Sequence, residues 1–186
     1  ESGLKCVENP SEMLLSGRPE NSPGTCVACV MEGTRPILAE VQALVSPAGY
    51  NAARRCNGID YNRAAMLLAV LEKRGGMPVG GCDSYINVIG GLSLEEPAAD
   101  LATILAVASS FLDRPLGADL AAIGEVGLSG EIRSVGMLNQ RLSETARLGF
   151  KRCVIPAHVR DEIRVNGGLM LISVKNVGEA LSLIHI

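Results

Sequence analysis

Six cysteines raise the question of metal or disulfide chemistry in this sequence. They are Cys6, Cys26, Cys29, Cys56, Cys82 and Cys153. Cys26 and Cys29 have the C-x-x-C spacing of zinc sites, but no second C-x-x-C pair follows them. The run from Thr25 to Val30 predicts a β-strand, on which residues three apart point to opposite faces. We therefore expect buried thiols in a reducing compartment and no metal site, against the alternative of a structural zinc site.

Two further kinds of catalytic or binding motif do not occur in the sequence. None of the 21 glycines belongs to a G-x-x-x-x-G-K-[ST] phosphate-binding loop, and the sequence has no G-x-S-x-G motif. His158 begins a charged stretch, and His185 lies beside the last residue. We therefore expect both histidines to have surface or packing roles, and we expect this chain to bind neither ATP nor any other cofactor.

Positive charge is distributed unevenly along the sequence. The formal net charge is -3 and the pI is about 5.5, which is not typical of a free, strongly basic DNA-binding domain. Between Arg133 and Arg164, however, seven basic residues accompany three acidic ones, and Arg54-Arg55 and Lys73-Arg74 add basic pairs. These side chains are either ordinary solvated surface charges or contacts to phosphate groups, and the residues alone leave both interpretations open.

Hydrophobic periodicity and turn residues predict one α/β domain, in which helices pack on a mixed sheet. The predicted strands cover residues 24–31, 36–45, 85–89, 120–125, 131–135, 152–155 and 169–174. The predicted helices cover residues 61–74, 97–112 and 138–148, with a weaker one after His158 and a last one from Asn176. Residues 120–125 and 131–135 should form a hairpin, and residues 47–58, which carry Arg54 and Arg55, should form a loop.

The prediction for domain organisation is an arm over residues 1–23 and a single domain over residues 24–186. Pro10, Pro19 and Pro23 interrupt any regular element in the arm. The sequence begins with Glu1 and has no signal segment, which suggests a fragment of a longer protein. Its longest apolar stretch, residues 101–112, is shorter than the roughly 20 residues that a membrane span needs. We therefore expect a soluble, cytoplasmic protein with no membrane partner.

Four sequence stretches between residues 96 and 156 are informative because of their residues and their order along the chain. They are Glu96 with the helix after it, Ile123-Gly-Glu-Val-Gly-Leu-Ser-Gly-Glu131, Val135-Gly-Met-Leu-Asn-Gln-Arg-Leu142 and Lys151-Arg-Cys-Val-Ile-Pro156. In this order they resemble the proteolytic domain of the Lon proteases. The resemblance implies a Lon-type α/β (α+β) fold, also described as ribosomal protein S5 domain 2-like, with a mixed sheet and packed helices.

The same resemblance implies that the protease chemistry is lost. The family's nucleophilic serine, in Pro-Ser-Ala-Gly, falls on Ala98 in Pro97-Ala-Ala-Asp100. The family's lysine, in Gly-Gly-Leu-Lys, falls on Asn139 in Gly136-Met-Leu-Asn139. An alanine has no oxygen to attack with, and an asparagine cannot take a proton near neutral pH. We therefore expect no catalytic residues in this chain, with residual Ser-Lys peptidase activity as the alternative.

Longer stretches carry a more specific resemblance. They are Glu32-Gly-Thr-Arg-Pro36, Gly58-Ile-Asp-Tyr-Asn-Arg63, Glu96-Pro-Ala-Ala-Asp100, Gly124-Glu-Val-Gly-Leu-Ser-Gly-Glu-Ile-Arg133 and Leu148-Gly-Phe-Lys-Arg152. From about residue 8 to residue 182 the chain resembles the RadA (Sms) family of bacterial recombination proteins. The resemblance implies a parent protein with an N-terminal zinc ribbon and a RecA-like, DNA-dependent ATPase, so ATP, Mg and Zn would belong to those other domains.

The RadA resemblance also implies partners for this chain. They are further copies of itself in a homo-hexameric ring, single-stranded or branched DNA, and a RecA-type recombinase. In a branch-migrating repair protein, the chain would be a non-catalytic oligomerisation and DNA-contacting domain, and the alternative is a purely structural ring-assembly module. The expected DNA contacts, each weak in a single domain, are Arg54, Arg55, Arg133, Arg141, Lys151 and Arg152.

Overall fold

The computed structural model describes residues 9–164 and 167–184, so Cys6 and His185 lie outside the described residues. The described chain contains nine strands and five α-helices. The strands are β1 (Thr25–Glu32), β2 (Arg35–Pro47), β3 (Arg54–Asn57), β4 (Cys82–Val88), β5 (Leu120–Ala122), β6 (Glu125–Val126), β7 (Ile132–Arg133), β8 (Arg152–Pro156) and β9 (Met170–Val174). The helices are α1 (Pro10–Leu15), α2 (Tyr61–Gly75), α3 (Asp100–Leu112), α4 (Leu138–Arg147) and α5 (Val177–Ser182).

Seven of the strands form one sheet in the order β3-β4-β2-β1-β5-β8-β9, while β6 and β7 form a separate hairpin. β2 is antiparallel to both of its neighbours, β1 and β4. The other neighbouring pairs in this sheet are parallel. The amino ends of six strands therefore meet at one edge of the sheet and their carboxyl ends at the other. The expected mixed sheet with packed helices is confirmed.

The sheet lies between two layers of helices. Leu67 of α2, Leu101 of α3 and Leu181 of α5 belong to the larger core cluster, on one face of the sheet. Leu142 of α4 belongs to the smaller cluster, on the other face. Ala, Val, Leu and Ile side chains make up most of both clusters, because aromatic residues make up 3% of the sequence. None of the described helices is long and apolar enough to cross a membrane.

Cys26 and Cys29 lie on β1, as the sequence predicts, and their side chains enter opposite core clusters. The two thiols therefore cannot bind one metal ion together. Burial raises the pKa of each thiol to about 12, so both remain protonated at neutral pH. Cys153 is also fully buried, while Cys56 and Cys82 are half-buried, and all five described cysteines are free.

The predicted helix that becomes α2 has the expected end signals. The Asp60 side chain accepts a hydrogen bond from the backbone N–H of Arg63, at 2.8 Å, and so caps the first turn. At the other end Gly76 has a φ of 68°, a left-handed conformation that favours glycine. The predictions for the helix of residues 138–148 and the strand of residues 152–155 are also confirmed, as α4 and β8.

Three predictions about local structure were wrong. Residues 47–58 are not wholly a loop, because β3 pairs in parallel with β4 and carries Arg54 and Arg55 at its start. Residues 120–122 do not pair with residues 131–135, because β5 lies inside the main sheet and the hairpin consists of the short strands β6 and β7. The arm is not wholly irregular, because Pro10 occupies the first turn of α1, where its missing N–H costs nothing.

The arm is fastened to the sheet by two polar contacts. The backbone N–H of Leu38 donates to the hydroxyl of buried Ser11, at 3.0 Å. Arg18 forms an ion pair with Glu40 at 3.1 Å, and the Glu40 side chain is 1% exposed. Because an unpaired buried carboxylate is costly, Arg18 holds residues 16–20 against β2.

Candidate functional site

Ala98 lies in a short 3-10 turn, Pro97–Ala99, immediately before α3. Its backbone oxygen accepts a hydrogen bond from the N–H of Gly124 at 3.2 Å, and the N–H of Leu101 donates to the oxygen of Gly124 at 3.1 Å. These bonds fix the start of α3 against the segment that follows β5. The Ala98 side chain is a methyl group, and the residue is 1% exposed. This position offers a substrate neither a nucleophile nor access.

Glu96, two residues before Ala98, is bound to α4 by Arg141. The guanidinium group of Arg141 forms a bidentate ion pair with the Glu96 carboxylate, with Nη2 3.0 Å from Oε2. It also donates to the backbone oxygens of Cys29 and Gly136, each at 2.8 Å. Arg141 is 3% exposed, so its expected contact with DNA is wrong: the side chain is inside the protein and occupied by protein acceptors.

Asp100 forms a second buried ion pair, on the other side of Ala98. Nε of Arg63 lies 2.9 Å from Oδ1 of Asp100, and the backbone N–H of Val126 donates to Oδ2 at 3.0 Å. Burial raises the pKa of Asp100, while the hydrogen bonds from Arg63 and Val126 oppose that rise. This pair attaches α2 and the β6–β7 hairpin to the start of α3.

The Asn139 side chain serves the backbone of the segment after β8. Its Nδ2 lies 3.5 Å from the oxygen of Glu162, and its Oδ1 accepts from the N–H of Arg164 at 3.0 Å. The hydroxyl groups of Ser109 and Ser110, the serines of α3, also bind backbone groups. Ser109 accepts a hydrogen bond from the N–H of Gly24 and Ser110 accepts one from the N–H of Val45, each at 2.9 Å. These polar groups stabilise loops and strands of the domain.

Four of the expected DNA-contact residues lie at one edge of the sheet. Arg54 and Arg55 begin β3, while Lys151 and Arg152 lie at the start of β8. Because β3 and β8 point in the same direction, both pairs lie at the amino edge of the sheet. Five strand spacings of about 4.8 Å separate β3 from β8, which gives about 24 Å between the pairs. Arg55 and Lys151 are exposed.

Arg152 and Arg133 have other surroundings. Arg152 forms a bidentate contact with Asp119, with Nη2 2.7 Å from Oδ1, so part of its charge is already compensated. Arg133 belongs to β7 and lies near the carboxyl edge, where it lines an open cleft of about 770 Å³ with His158 and Lys175. The six expected DNA-contact residues are therefore not all in one place. Four lie at the amino edge of the sheet, Arg133 lies near the opposite edge, and Arg141 is buried.

Residues 85–185 match the family model described as the Lon protease (S16) C-terminal proteolytic domain. The chain belongs to this family. The Lon-type domain is also similar to proteins named DNA repair protein RadA. It is 50% identical to the Bacillus subtilis protein over 182 residues, which is 97% of this chain and 40% of that protein.

Two other RadA proteins match the Lon-type domain over most of its length. The Listeria monocytogenes protein is 47% identical over 180 residues, which is 96% of this chain and 39% of that protein. The Synechocystis protein is 49% identical over 157 residues, which is 84% of this chain and 31% of that protein. The chain thus spans at most about two fifths of these relatives, and the RadA resemblance expected from the sequence is confirmed.

Sequence reasoning missed the two ion pairs that enclose Ala98 in the Lon-type domain. Arg141 lies 45 residues from Glu96, and Arg63 lies 37 residues from Asp100. No local spacing rule connects residues so far apart in sequence. One signal was available, because Glu96 and Asp100 flank the Pro-Ala-Ala stretch that was compared with the Lon serine motif.

Proposed function

We propose that this chain is a non-catalytic assembly and DNA-contacting domain of a RadA-type repair protein. The observation that carries the proposal is the 50% identity, over 97% of this chain, to a protein named DNA repair protein RadA. In this proposal the rest of the parent protein is a DNA-dependent ATPase that uses ATP, Mg and Zn in the cytoplasm. Six copies of the chain form a ring there. The partners of this ring are DNA and a RecA-type recombinase.

The side chains at positions 98 and 139 support the non-catalytic part of the proposal. Ala98, at the position that aligns with the Lon serine, carries no hydroxyl group and is buried. Asn139, at the position that aligns with the Lon lysine, is neutral and holds the backbone of Glu162 and Arg164. A Ser-Lys mechanism needs a nucleophilic oxygen and a basic nitrogen together, and neither position supplies one.

The amino edge supports the DNA-contacting part. Arg54, Arg55 and Lys151 have no ion pair among the described residues, so their charges can face a phosphate backbone. A chain of net charge -3 can bind DNA through one edge when the positive charges are concentrated there. Each domain would contribute a few phosphate contacts, and a ring would multiply them through avidity.

The test is binding of the chain to fluorescently labelled double- and single-stranded oligonucleotides between about 50 and 200 mM salt, the range over which phosphate contacts weaken strongly. The molar mass is measured by light scattering in the same buffers. Binding by an oligomer that weakens steeply with salt supports the proposal. An oligomer without DNA affinity even at the lowest salt would leave a purely structural module, and cleavage of unfolded casein that copurifies with the chain would instead support a peptidase.

A further inference from the structure

On one face of the sheet, α1 and α4 contact β2 at the end that carries Leu38, and they leave the end of β2 that pairs with Tyr85 of β4 exposed. α2 and α3, which contact β3 and β4, pack on the opposite face, with Ile86 and Val88 of β4 in their core cluster. At this exposed end Leu44 of β2 is 63% exposed and Tyr85 of β4 is 38% exposed. These side chains face solvent, although Ala43 of β2 and Ile86 of β4 are buried on the other side of the same strands.

Two rows of side chains cross this face. In the first row Arg55, Tyr85 and Leu44 are direct neighbours on β3, β4 and β2. In the second row Asn57, Asn87 and Gln42 are neighbours. We call these six residues the open face. It combines an aromatic ring, an aliphatic side chain, a guanidinium group and three amides, a set that fits the faces and edges of unpaired nucleobases.

The polar groups of the open face retain free hydrogen-bonding capacity. Nδ2 of Asn57 donates to Oδ1 of Asn87 at 2.8 Å, which leaves the other amide atoms of both residues available to a ligand. The carboxylates nearby are held by protein donors. Glu40 is buried and paired with Arg18, and Asp83 accepts from the N–H of Ala53 at 2.7 Å. Arg55 is therefore the exposed cation beside Tyr85.

A shallow cavity gives this face depth. It has a volume of about 220 Å³ and lies between the arm, at Pro19 and Pro23, and the side chains of Leu44 and Tyr85. A water molecule occupies about 30 Å³ in the liquid, so the cavity has room for one planar ring beside Tyr85.

The size of the open face decides between two kinds of occupant. Three strands about 4.8 Å apart and two rows about 7 Å apart give a platform on the order of 200 Å². A stable protein–protein interface buries about 800 Å² on each partner, so this platform is too small to hold a second copy of the chain by itself. Two or three unstacked bases need an area of this order, as on other sheet surfaces that bind single strands.

We propose that the open face binds single-stranded nucleic acid, with one base stacked on Tyr85 and the adjacent phosphate contacted by Arg55. Leu44 packs beside the stacked base, and Asn57 and Asn87 hydrogen-bond to base edges. This inference rests on the proposed DNA-contacting function. It specifies the form of the strand and adds a contact that does not depend on charge.

The experiment compares Tyr85→Ala, Tyr85→Phe and Tyr61→Ala in the 186-residue chain. Tyr61 is a matched control, because it is 52% exposed at the start of α2 and lies outside the open face. We expect Tyr85→Ala to weaken binding of an oligo-dT probe by about 5- to 150-fold. Tyr85→Phe should keep most of the affinity, since the ring remains, and Tyr61→Ala should bind like the wild type.

Two further measurements make the result decisive. A probe carrying 5-iododeoxyuridine should crosslink under ultraviolet light to residues 82–88, and duplex affinity should not change in Tyr85→Ala because paired bases cannot stack on the ring. Wild-type affinity of Tyr85→Ala for single strands would overturn the inference while leaving the proposed function intact. The inference would also be overturned if Tyr85→Ala changed the molar mass of the protein and left its DNA affinity unchanged. The open face would then be an interface between copies of the chain.

The assignment of DNA contact to the amino edge can also fail while the inference about the open face holds. If single-strand binding requires Tyr85 but is unaffected by loss of Lys151, the open face is supported and the amino edge is not. If the wild-type chain binds neither probe, both proposals are wrong.

Discussion

Arg141 illustrates at the residue scale why a basic side chain in a sequence is not by itself a phosphate contact. It is 3% exposed and fills its hydrogen-bonding capacity with Glu96 and with the backbone oxygens of Cys29 and Gly136. Its role is to join β1, α4 and the segment before Ala98. The positive charge of Arg141 is therefore used inside the protein.

Replacing Arg141 by Ala should lower the free energy of unfolding by about 2–4 kcal/mol, because the Glu96 carboxylate loses its partner. This loss is smaller than the roughly 3–5 kcal/mol expected for a fully buried pair, since the Glu96 side chain is 29% exposed and water screens part of its charge. Urea denaturation measures the change. The control is Arg147→Ala on the same helix, where the solvent-exposed pair with Glu144 should contribute much less to stability. Equal losses in the two variants would contradict this account of Arg141.

The Asp119–Arg152 pair predicts a pH dependence at the amino edge. The hydrogen bonds from Arg152 lower the pKa of Asp119 below its ordinary value of about 3.9, so the ionised carboxylate stabilises the folded chain above that pH. The contribution is lost as the pH falls through the lower, folded-state pKa. The stability difference between wild type and Asp119→Asn should therefore be constant from about pH 7 to 5 and shrink below about pH 4. In an Arg152→Ala background the same comparison should show no such change.

At the element scale, the position of β3 depends on a close crossing just after its end. Gly58 has a φ of 80°, and its backbone oxygen accepts from the N–H of Leu94 at 2.7 Å. A Cβ atom at Gly58 would lie 2.5 Å from the oxygen of Leu92 and 2.6 Å from Cβ of Val88. The crossing fixes the end of β3, and so the strand that carries Arg54 and Arg55.

Gly58→Ala should therefore lower the free energy of unfolding by about 2–4 kcal/mol, through both a left-handed conformation and a steric clash. Gly33→Ala, in the turn between β1 and β2, is the matched control. Gly33 has a φ of 62°, but a Cβ there meets no atom within 4 Å, so the cost should be about 1 kcal/mol. Thermal or urea unfolding measures both variants, and similar costs for the two would show that the crossing at Gly58 is not tight.

The elements that the sequence predicted well have signals contained within them. α2 has a side-chain cap at Asp60 and a glycine at its end, and β1 and β2 are apolar segments that pair with each other across a short turn. β3 was missed because it has four residues and gains its hydrogen bonds from β4, almost 30 residues later in the chain. β5 was assigned to the wrong partner for the same reason, since its neighbours β1 and β8 are distant in sequence.

The candidate sites also divide into those with a local sequence signal and those that depend on contacts between distant residues. Ala98 and Asn139 were identified from short motifs, while the burial of Arg141 depends on packing that no motif reports. Tyr85 was missed although the sequence held a signal for it. In the sequence, Ile86 and Val88 alternate with Tyr85 and Asn87, a pattern that favours a strand with one solvent-facing side, and in the structure residues 84, 86 and 88 are buried while 83, 85 and 87 are not.

At the scale of the whole molecule, the proposed contact with DNA depends on where the positive charges lie and not on the net charge. The chain has a net charge of -3, yet Arg54, Arg55 and Lys151 lie at one edge of the sheet, because six strands begin there. In an assembly of several copies this amino edge would be repeated, and weak phosphate contacts would act together.

The salt dependence of duplex binding tests the central claim most directly. The logarithm of the binding constant should fall linearly with the logarithm of the salt concentration, with a slope set by the number of phosphate contacts. In the triple variant Arg54→Ala/Arg55→Ala/Lys151→Ala the slope should become shallower by about one for each phosphate-binding side chain that is removed. A control with the same charge change, Lys73→Ala/Arg74→Ala/Arg164→Ala, should keep the wild-type slope. If both triple variants changed the slope equally, DNA would be responding to overall charge, and the assignment of DNA contact to the amino edge would be wrong.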